Sequence, residues 1–116
     1  MDSIETSTEA LTEIVQHLPE GGRERPGQQK MNRAIAEAIR DAEHLLIQAG
    51  TGVGKTLAYL LPAIISGKQT VVATFTKALQ DQMVEKDLPF LAKHLPQATN
   101  KSFSFTQVKG LSLIHI

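Results

Sequence analysis

The amino-acid sequence predicts an α/β fold in which short apolar strands alternate with helices around a parallel sheet. Three observations support it. An apolar run at 44–48 (HLLIQ) leads into a glycine-rich loop that opens an apolar helical pattern. A second β-rich run, 70–74 (TVVAT), follows that helix, and a third segment, 102–108, alternates phenylalanines with polar residues. The order strand, loop, helix, strand, helix, strand is typical of a parallel α/β sheet.

Length and composition set the outer limits. The chain has 116 residues, 41% of them apolar and 21% charged, which is ordinary for one small globular domain. Net charge is zero, but the chain from Arg23 onward carries twelve basic and seven acidic residues, which weakly favours a polyanionic partner. The absence of cysteine excludes a disulfide framework and a thiolate metal site. With no signal peptide visible and no apolar stretch long enough to cross a bilayer, we expect a cytoplasmic protein without membrane contact.

Two amphipathic helices precede the glycine-rich loop. The first carries its apolar residues on one face from Ile4 to Leu18, and Pro19 with the following glycines is expected to end it. The second follows Pro26 and repeats its apolar residues at intervals of three and four, which predicts a helix packed on the core. We therefore predict an N-terminal helix and linker at 1–22, ahead of the nucleotide-binding region.

The glycine-rich loop has the pattern of a phosphate-binding P-loop. Its glycines let backbone N–H groups turn towards a polyphosphate, and the helix that it opens directs a positive dipole end at the anion. Lys55 is expected to reach the β- and γ-phosphates, and the Thr56 hydroxyl to bind Mg²⁺, which makes both candidate catalytic residues. The usual pattern opens with glycine, whereas this loop opens with alanine. The alternative is a chance match in a glycine-rich turn. The candidate nucleotide-binding residues of the loop are Ala49, Gly50, Thr51, Gly52, Val53, Gly54, Lys55 and Thr56.

A P-loop alone fits kinases, GTPases, transport ATPases and helicases, and two further segments decide between them. Upstream lies RPGQQKM (25–31), and downstream lies VVATFTKALQDQM (71–83). With these motifs in order, the chain resembles the N-terminus of the DinG-type, XPD-like DNA helicases of superfamily two. The upstream segment matches their Arg-x-x-Gln-x-x-Met element, and the downstream segment matches their Thr-x-Thr-x-x-Leu-Gln-x-Gln element. The matching residues are Arg25, Gln28, Met31, Thr74, Thr76, Leu79, Gln80 and Gln82.

The resemblance implies roles for these residues. Arg25 and Gln28 would belong to the nucleotide site, with Gln28 recognising adenine, because a side-chain amide donates and accepts hydrogen bonds at once. The alternative for Gln28 is an exposed polar residue at a helix start. The downstream element would lie along the path of single-stranded DNA, where hydroxyls, helix N–H groups and a lysine suit phosphates. The alternative for Thr76 is ordinary helix N-capping. The implied DNA-binding residues are Thr74, Thr76, Lys77 and Gln80.

The end of the chain departs from the family. The family's acidic box is absent, and after its Lys-Gly pair the family leads into the first cysteine of an iron–sulfur cluster, whereas this chain has LSLIHI. That hexapeptide reads in frame as CTG-TCT-CTT-ATA-CAC-ATC, a transposon end used in sequencing adapters. We expect 111–116 to be an adapter-derived tail and 23–110 to be a partial helicase ATP-binding domain. The alternative is a natural apolar strand.

The sequence thus predicts a truncated P-loop (RecA-like) motor domain with a partial parallel sheet and an N-terminal helical segment. It would be the N-terminal fragment of an ATP-dependent DNA helicase, monomeric, binding ATP, Mg²⁺ and single-stranded DNA. A full-length protein could add an iron–sulfur cluster, for which this chain has no cysteine ligand. The alternatives are a P-loop module of another ATPase class, such as a AAA-type ATPase, or a catalytically inert fragment. By itself the chain is expected to show little ATPase activity, no unwinding and marginal folding.

Overall fold

The computed structural model describes residues 3–18, 26–48, 55–108 and 113–116. Helices dominate this part of the chain, and the strands are three residues long. The elements in chain order are α1 (Ser3–Val15), α2 (Pro26–Asp41), α3 (Lys55–Ile65), β1 (Val71–Ala73), α4 (Lys77–Gln82), a π-helical turn (Met83–Asp87), α5 (Leu88–Thr99), β2 (Thr106–Val108) and β3 (Leu113–His115).

The core lies among α1, α3, α5 and the π-helical turn. α3 is apolar on most of its surface and buries seven of its side chains, so it runs through the centre of this layer. α1 adds the apolar face predicted from its sequence, and α2 packs against both α1 and α3. The fully or almost fully buried apolar residues of the cluster are Ala10, Leu11, Ile14, Val15, Leu57, Leu60, Leu61, Ile64, Ile65, Met83, Leu88, Leu91, Leu95 and Ile114.

A single helical segment runs from Lys77 to Thr99. It widens into a π-helical turn at Met83–Asp87 and resumes as α5 at Leu88. Pro89 lies in the first turn of α5, directly after the π-helical turn, and the helical segment continues through it. Asn100 ends α5 in a left-handed conformation with φ of 60°.

The strands form one three-stranded sheet in the order β1-β3-β2. β3 runs antiparallel to both neighbours, with Ile114 opposite Val72 on one side and opposite Gln107 on the other. Thr70 and Ile116 extend the first pairing by exchanging N–H···O bonds of 3.0 and 2.7 Å. β1 and β2 therefore point the same way, as predicted, but a strand from the chain's last residues separates them.

Of two predictions about the sheet, one is wrong for the described residues and the other is not confirmed by them. The run at 44–48 is not a strand, because no other described strand pairs with it, and Leu46 is 97% exposed. The described sheet is antiparallel at both of its pairings, so the predicted partial parallel sheet is not confirmed by these residues. The physical reason is the same for both. A strand needs neighbours for its backbone N–H and C=O groups, and β3 occupies the position between β1 and β2.

The predicted boundaries of the three regions stay predictions, although α1 packs into the same core as α3 and α5. Residues 19–25 lie outside the described residues. No helix in the described ranges combines the length and apolarity that crossing a bilayer requires.

Candidate nucleotide and DNA site

The described part of the predicted P-loop is its last turn, at the start of α3. Ala49, Gly50, Thr51, Gly52, Val53 and Gly54 lie outside the described residues, as does Arg25. Lys55 begins α3 and Thr56 follows it, both half-buried. Because Leu57, Leu60 and Leu61 anchor the helix in the core, its N-terminal N–H groups and positive dipole end are held on a rigid support.

Tyr59 lies one turn beyond Thr56 and contacts it. Its side chain is hydrogen-bonded to Thr56, and its hydroxyl donates to Met83 Sδ at 3.8 Å. Burial raises the pKa of the Tyr59 hydroxyl; the Thr56 hydrogen bond opposes this rise, and the charge of Asp87 adds to it. Tyr59 thus connects the candidate Mg²⁺ ligand to the π-helical turn. The sequence alone does not single out Tyr59, although its spacing of three from Thr56 places both on one helix face.

Gln28 lies in the first turn of α2 and is only 8% exposed. The alternative of an exposed polar residue at a helix start is therefore wrong. Burying an amide costs free energy unless it is hydrogen-bonded, and Gln28 has an interaction partner within the chain. α2 packs along α3, so the helix carrying Gln28 and the helix beginning at Lys55 are direct neighbours.

The predicted DNA element follows β1 and opens α4. Thr76 is the N-cap of α4, since its Oγ1 accepts a 3.2 Å hydrogen bond from the Leu79 N–H. The Thr74 hydroxyl donates to the Thr76 carbonyl at 3.1 Å, which fixes the turn between strand and helix. Thr76 and Lys77 are exposed, and Thr74 is half-buried. The capping alternative for Thr76 is observed, and it leaves the hydroxyl at the surface.

Gln80 differs from its predicted neighbours, because it is 3% exposed and faces the interior. Gln80 lies four residues after the N-cap of α4, on the buried side of the helix. A direct contact between Gln80 and DNA would therefore require the helix to move. Phe75 has the opposite placement: it is fully exposed between Thr74 and Thr76. The predicted site residues omit Phe75, and a large aromatic side chain at the end of a strand is the signal that could have found it.

The match to known families covers most of this site. Residues 25–109 match the DEAD/DEAH box helicase family. The chain belongs to this family. Membership assigns the chain to the RecA-like P-loop class of folds and confirms the predicted DinG-type relationship. The sequence is 49% identical over 94 residues to the ATP-dependent helicase DinG of Mycobacterium tuberculosis, a match covering 78% of this chain and 14% of the relative.

Other relatives agree. The ATP-dependent DNA helicase YoaA of Haemophilus influenzae is 46% identical over 83 residues, which are 72% of this chain and 13% of YoaA. The 3'-5' exonuclease DinG of Bacillus subtilis is 40% identical over 91 residues, which are 75% of this chain and 9% of that protein. No solved structure gives a significant match. The chain thus spans about a seventh or less of the length of these relatives.

Proposed function

We propose that this chain is the adenine-nucleotide-binding part of the first motor domain of an ATP-dependent DNA helicase. The observation that carries the proposal is the direct packing of α2, which buries Gln28, against α3, which begins with Lys55 and Thr56. Helicase relatives of the same family support it, since their names state ATP dependence. In this proposal Gln28 recognises the adenine edge, together with Arg25 in the same segment, and Lys55 binds the β- and γ-phosphates.

The residues present fit Mg²⁺ as part of the nucleotide complex. A hydroxyl at the start of a helix is a hard oxygen ligand, and the contact with Tyr59 restricts the Thr56 side chain to one region. Bound Mg²⁺ would neutralise charge on the phosphates. An iron–sulfur cluster does not fit these residues, because the chain has no cysteine thiolate to hold it. The finer fold, a motor domain with a partial parallel sheet, belongs to this proposal, as does a monomeric cytoplasmic protein.

The nucleotide proposal is tested by competition between ATP and GTP for a fluorescent ATP analogue in the presence of Mg²⁺. We expect ATP to compete better than GTP, and Gln28→Ala to reduce that preference by about three- to tenfold, the equivalent of one lost hydrogen bond pair. A matched control is Lys30→Ala, an exposed residue on the same helix. Equal competition by GTP and ATP in the unmodified chain would instead support another P-loop class, such as a AAA-type ATPase.

The DNA part of the proposal rests on the turn between β1 and α4. Thr74, Thr76, Lys77 and the first N–H groups of α4 offer donors and one positive charge, which suit phosphates and carry no sequence code. Phe75 offers a free aromatic face on which a base can stack. Gln80 would support this element from the buried side unless the helix moves on binding. The partner is therefore single-stranded nucleic acid, in keeping with the DNA helicases among the relatives.

This part is tested by fluorescence anisotropy with a labelled single-stranded oligonucleotide at several salt concentrations. Lys77→Ala should weaken binding and lower the slope of log K against log salt by about 0.7, the value for one phosphate contact on a single strand. Lys93→Ala, an exposed lysine on α5, serves as the matched control and should leave the slope unchanged. Equal slopes for both variants would exclude Lys77 from the DNA path.

A further inference from the structure

A buried polar ladder joins α1 to α2. The Ser7 hydroxyl donates to Asn32 Oδ1, and Asn32 Nδ2 donates back to the Ser7 carbonyl at 3.0 Å. The same Nδ2 also donates to Gln29 Oε1 at 2.8 Å, and Gln29 Nε2 donates to the Thr8 carbonyl at 2.9 Å. Ser7 and Asn32 are completely buried, so the two bonds between them lie in the interior between the two helices, whereas the bonds of Gln29 are partly buried.

Joining two helices through this ladder gains little free energy. A serine and an asparagine removed from water lose their hydration, and the bonds that they make recover little beyond that loss. Apolar side chains of similar size would attach α1 to α2 at lower cost. What the ladder adds is orientation. Ser7 donates to one end of the Asn32 amide and accepts from the other, so only one rotation of α2 and one orientation of the amide satisfy both bonds.

Asn32 lies four residues after Gln28. Residues at this spacing share one helix face and lie about one turn apart, so the rotation that Asn32 fixes is also the rotation of Gln28. A turn of α2 by one residue would move each side chain by about 100° around the helix axis. An amide that reads a base edge works only within hydrogen-bond distance of it, which tolerates errors of a few tenths of an ångström. The ladder supplies that constraint from outside the nucleotide site.

We propose that Ser7 and Asn32 are positioning residues for nucleobase selection: the N-terminal helix, through this ladder, sets the rotation of α2 that lets Gln28 distinguish adenine from guanine. The inference rests on the proposed role of Gln28. It gives α1 a part in ATP specificity, although the family match begins only at residue 25. The ligand class is a purine nucleoside triphosphate, and the effect acts on the base and not on the phosphates.

The test measures ATP and GTP dissociation constants for the full chain by competition with a fluorescent ATP analogue. Ser7→Ala should weaken ATP binding by about three- to tenfold and leave GTP binding within about twofold, because it removes one buried hydrogen bond and leaves the P-loop unchanged. Thr8→Ala is the matched control: it removes a neighbouring hydroxyl that bonds only within α1, and it keeps the carbonyl that Gln29 uses. Equal losses for ATP and GTP in Ser7→Ala would show a purely structural role and overturn the proposal.

A double variant separates the two proposals. If Ser7 acts through Gln28, Ser7→Ala should have no further effect on ATP affinity in a Gln28→Ala background, whereas additive losses would overturn the positioning role. If Gln28→Ala alone leaves the ATP preference intact, the proposed function fails at that residue. Should Ser7→Ala lose its helical circular dichroism, Gln29→Ala replaces it, because Gln29 is half-buried at the edge of the ladder. A full ATP preference in folded Gln29→Ala would then contradict the inference.

Discussion

The helical layer of this molecule buries its apolar side chains more completely than the sheet does. The helical layer buries almost all of the large apolar side chains of α1, α3 and α5. The sheet consists of three-residue strands, and its residue Val71 remains 60% exposed. Ile114 is a fully buried strand residue that connects the sheet to the core. The difference separates two kinds of backbone hydrogen bond. Those of a helix form within one short segment, and those of a strand need a distant segment of the chain.

A helix satisfies its backbone within its own segment, so α1, α2 and α3 form wherever their local sequence favours them. A strand satisfies its backbone only through neighbours, and in a parallel sheet those neighbours come from remote parts of the chain. The helix that follows the predicted P-loop lies on the well-packed side, and the predicted DNA element lies at the junction with the weaker side. We therefore expect substitutions in the helical layer to cost the most stability.

The largest effect is predicted for Leu60→Ala. Leu60 is completely buried at the centre of α3, so truncation removes apolar contacts and leaves a cavity, at a cost of about 2–5 kcal/mol. Val71→Ala, at an exposed position of β1, is the matched control and should change stability by less than about 0.5 kcal/mol. Chemical denaturation monitored by circular dichroism compares the two. Similar losses at both positions would contradict the division into a strong layer and a weak layer.

A smaller effect is predicted at the junction. Thr76→Ala removes the N-cap of α4 and should cost about 1 kcal/mol, while Thr76→Ser keeps an oxygen that can accept the Leu79 N–H bond and should cost much less. The same denaturation experiment measures both variants. If the serine variant is as unstable as the alanine variant, the cap does not stabilise α4. Oligonucleotide binding by the pair then shows whether the hydroxyl has a second role.

The sheet itself is tested by Ile114→Val. Because Ile114 is completely buried between the strands and the helical core, loss of one methylene should cost about 0.5–1.5 kcal/mol. The same exchange at Ile116, which is half-buried, should cost less. An unchanged midpoint for Ile114→Val would mean that β3 is not held in the core.

The adapter origin of 111–116 stays a prediction, and DNA sequencing across codon 110 of the source gene tests it.

The smallest effect is a pH dependence. Burial, together with the nearby charges of His17 and Lys93, lowers the pKa of His94 below its usual value of 6.5. His94 stacks on His17 with ring centroids 4.4 Å apart, and its Nδ1 is buried with no partner among the described residues. The folded chain therefore binds this proton less readily than the unfolded chain. The stability linked to neutral His94 is complete above pH 6.5 and is lost as the pH falls below it.

His94→Gln should flatten this pH dependence, measured as thermal midpoints between pH 7.5 and 5. Asp87 works in the other direction, because burial raises the pKa of its carboxyl, while a Gln82 hydrogen bond and Lys86 oppose the rise. Since Asp87 is present in both proteins, the difference between the unmodified chain and His94→Gln isolates the histidine. An identical pH profile for the two would refute the stacked-pair explanation.

The sequence predicts α1, α2 and α3 well because their signals are local. The apolar stripe of α2 and the glycine-rich loop before α3 can be recognised from a few neighbouring residues. The run at 44–48 has the composition of a strand but does not form one. A strand needs pairing partners, and the described residues do not provide any for this run. The inward placement of Gln80 and the contact between Tyr59 and Met83 depend on how helices pack, which spacing alone does not reveal.

The Ser7–Asn32 ladder also depends on how two helices pack. Its partners lie 25 residues apart, so spacing in the sequence does not reveal it. The family was nevertheless predictable from the sequence. Short motifs in a fixed order indicated it, and the match to the DEAD/DEAH box helicase family at residues 25–109 covers the same motifs. The assignment of individual residues to a nucleotide site stays a prediction.

The most direct test of the account is ATP binding by the unmodified chain and by Lys55→Ala, measured by isothermal titration calorimetry with Mg²⁺. We predict that the unmodified chain binds ATP and that Lys55→Ala weakens binding by at least about tenfold, the equivalent of one charge-assisted hydrogen bond to phosphate. Circular dichroism should be the same for both. ATP binding of equal strength in a folded Lys55→Ala chain would contradict the claim that this segment is a nucleotide site.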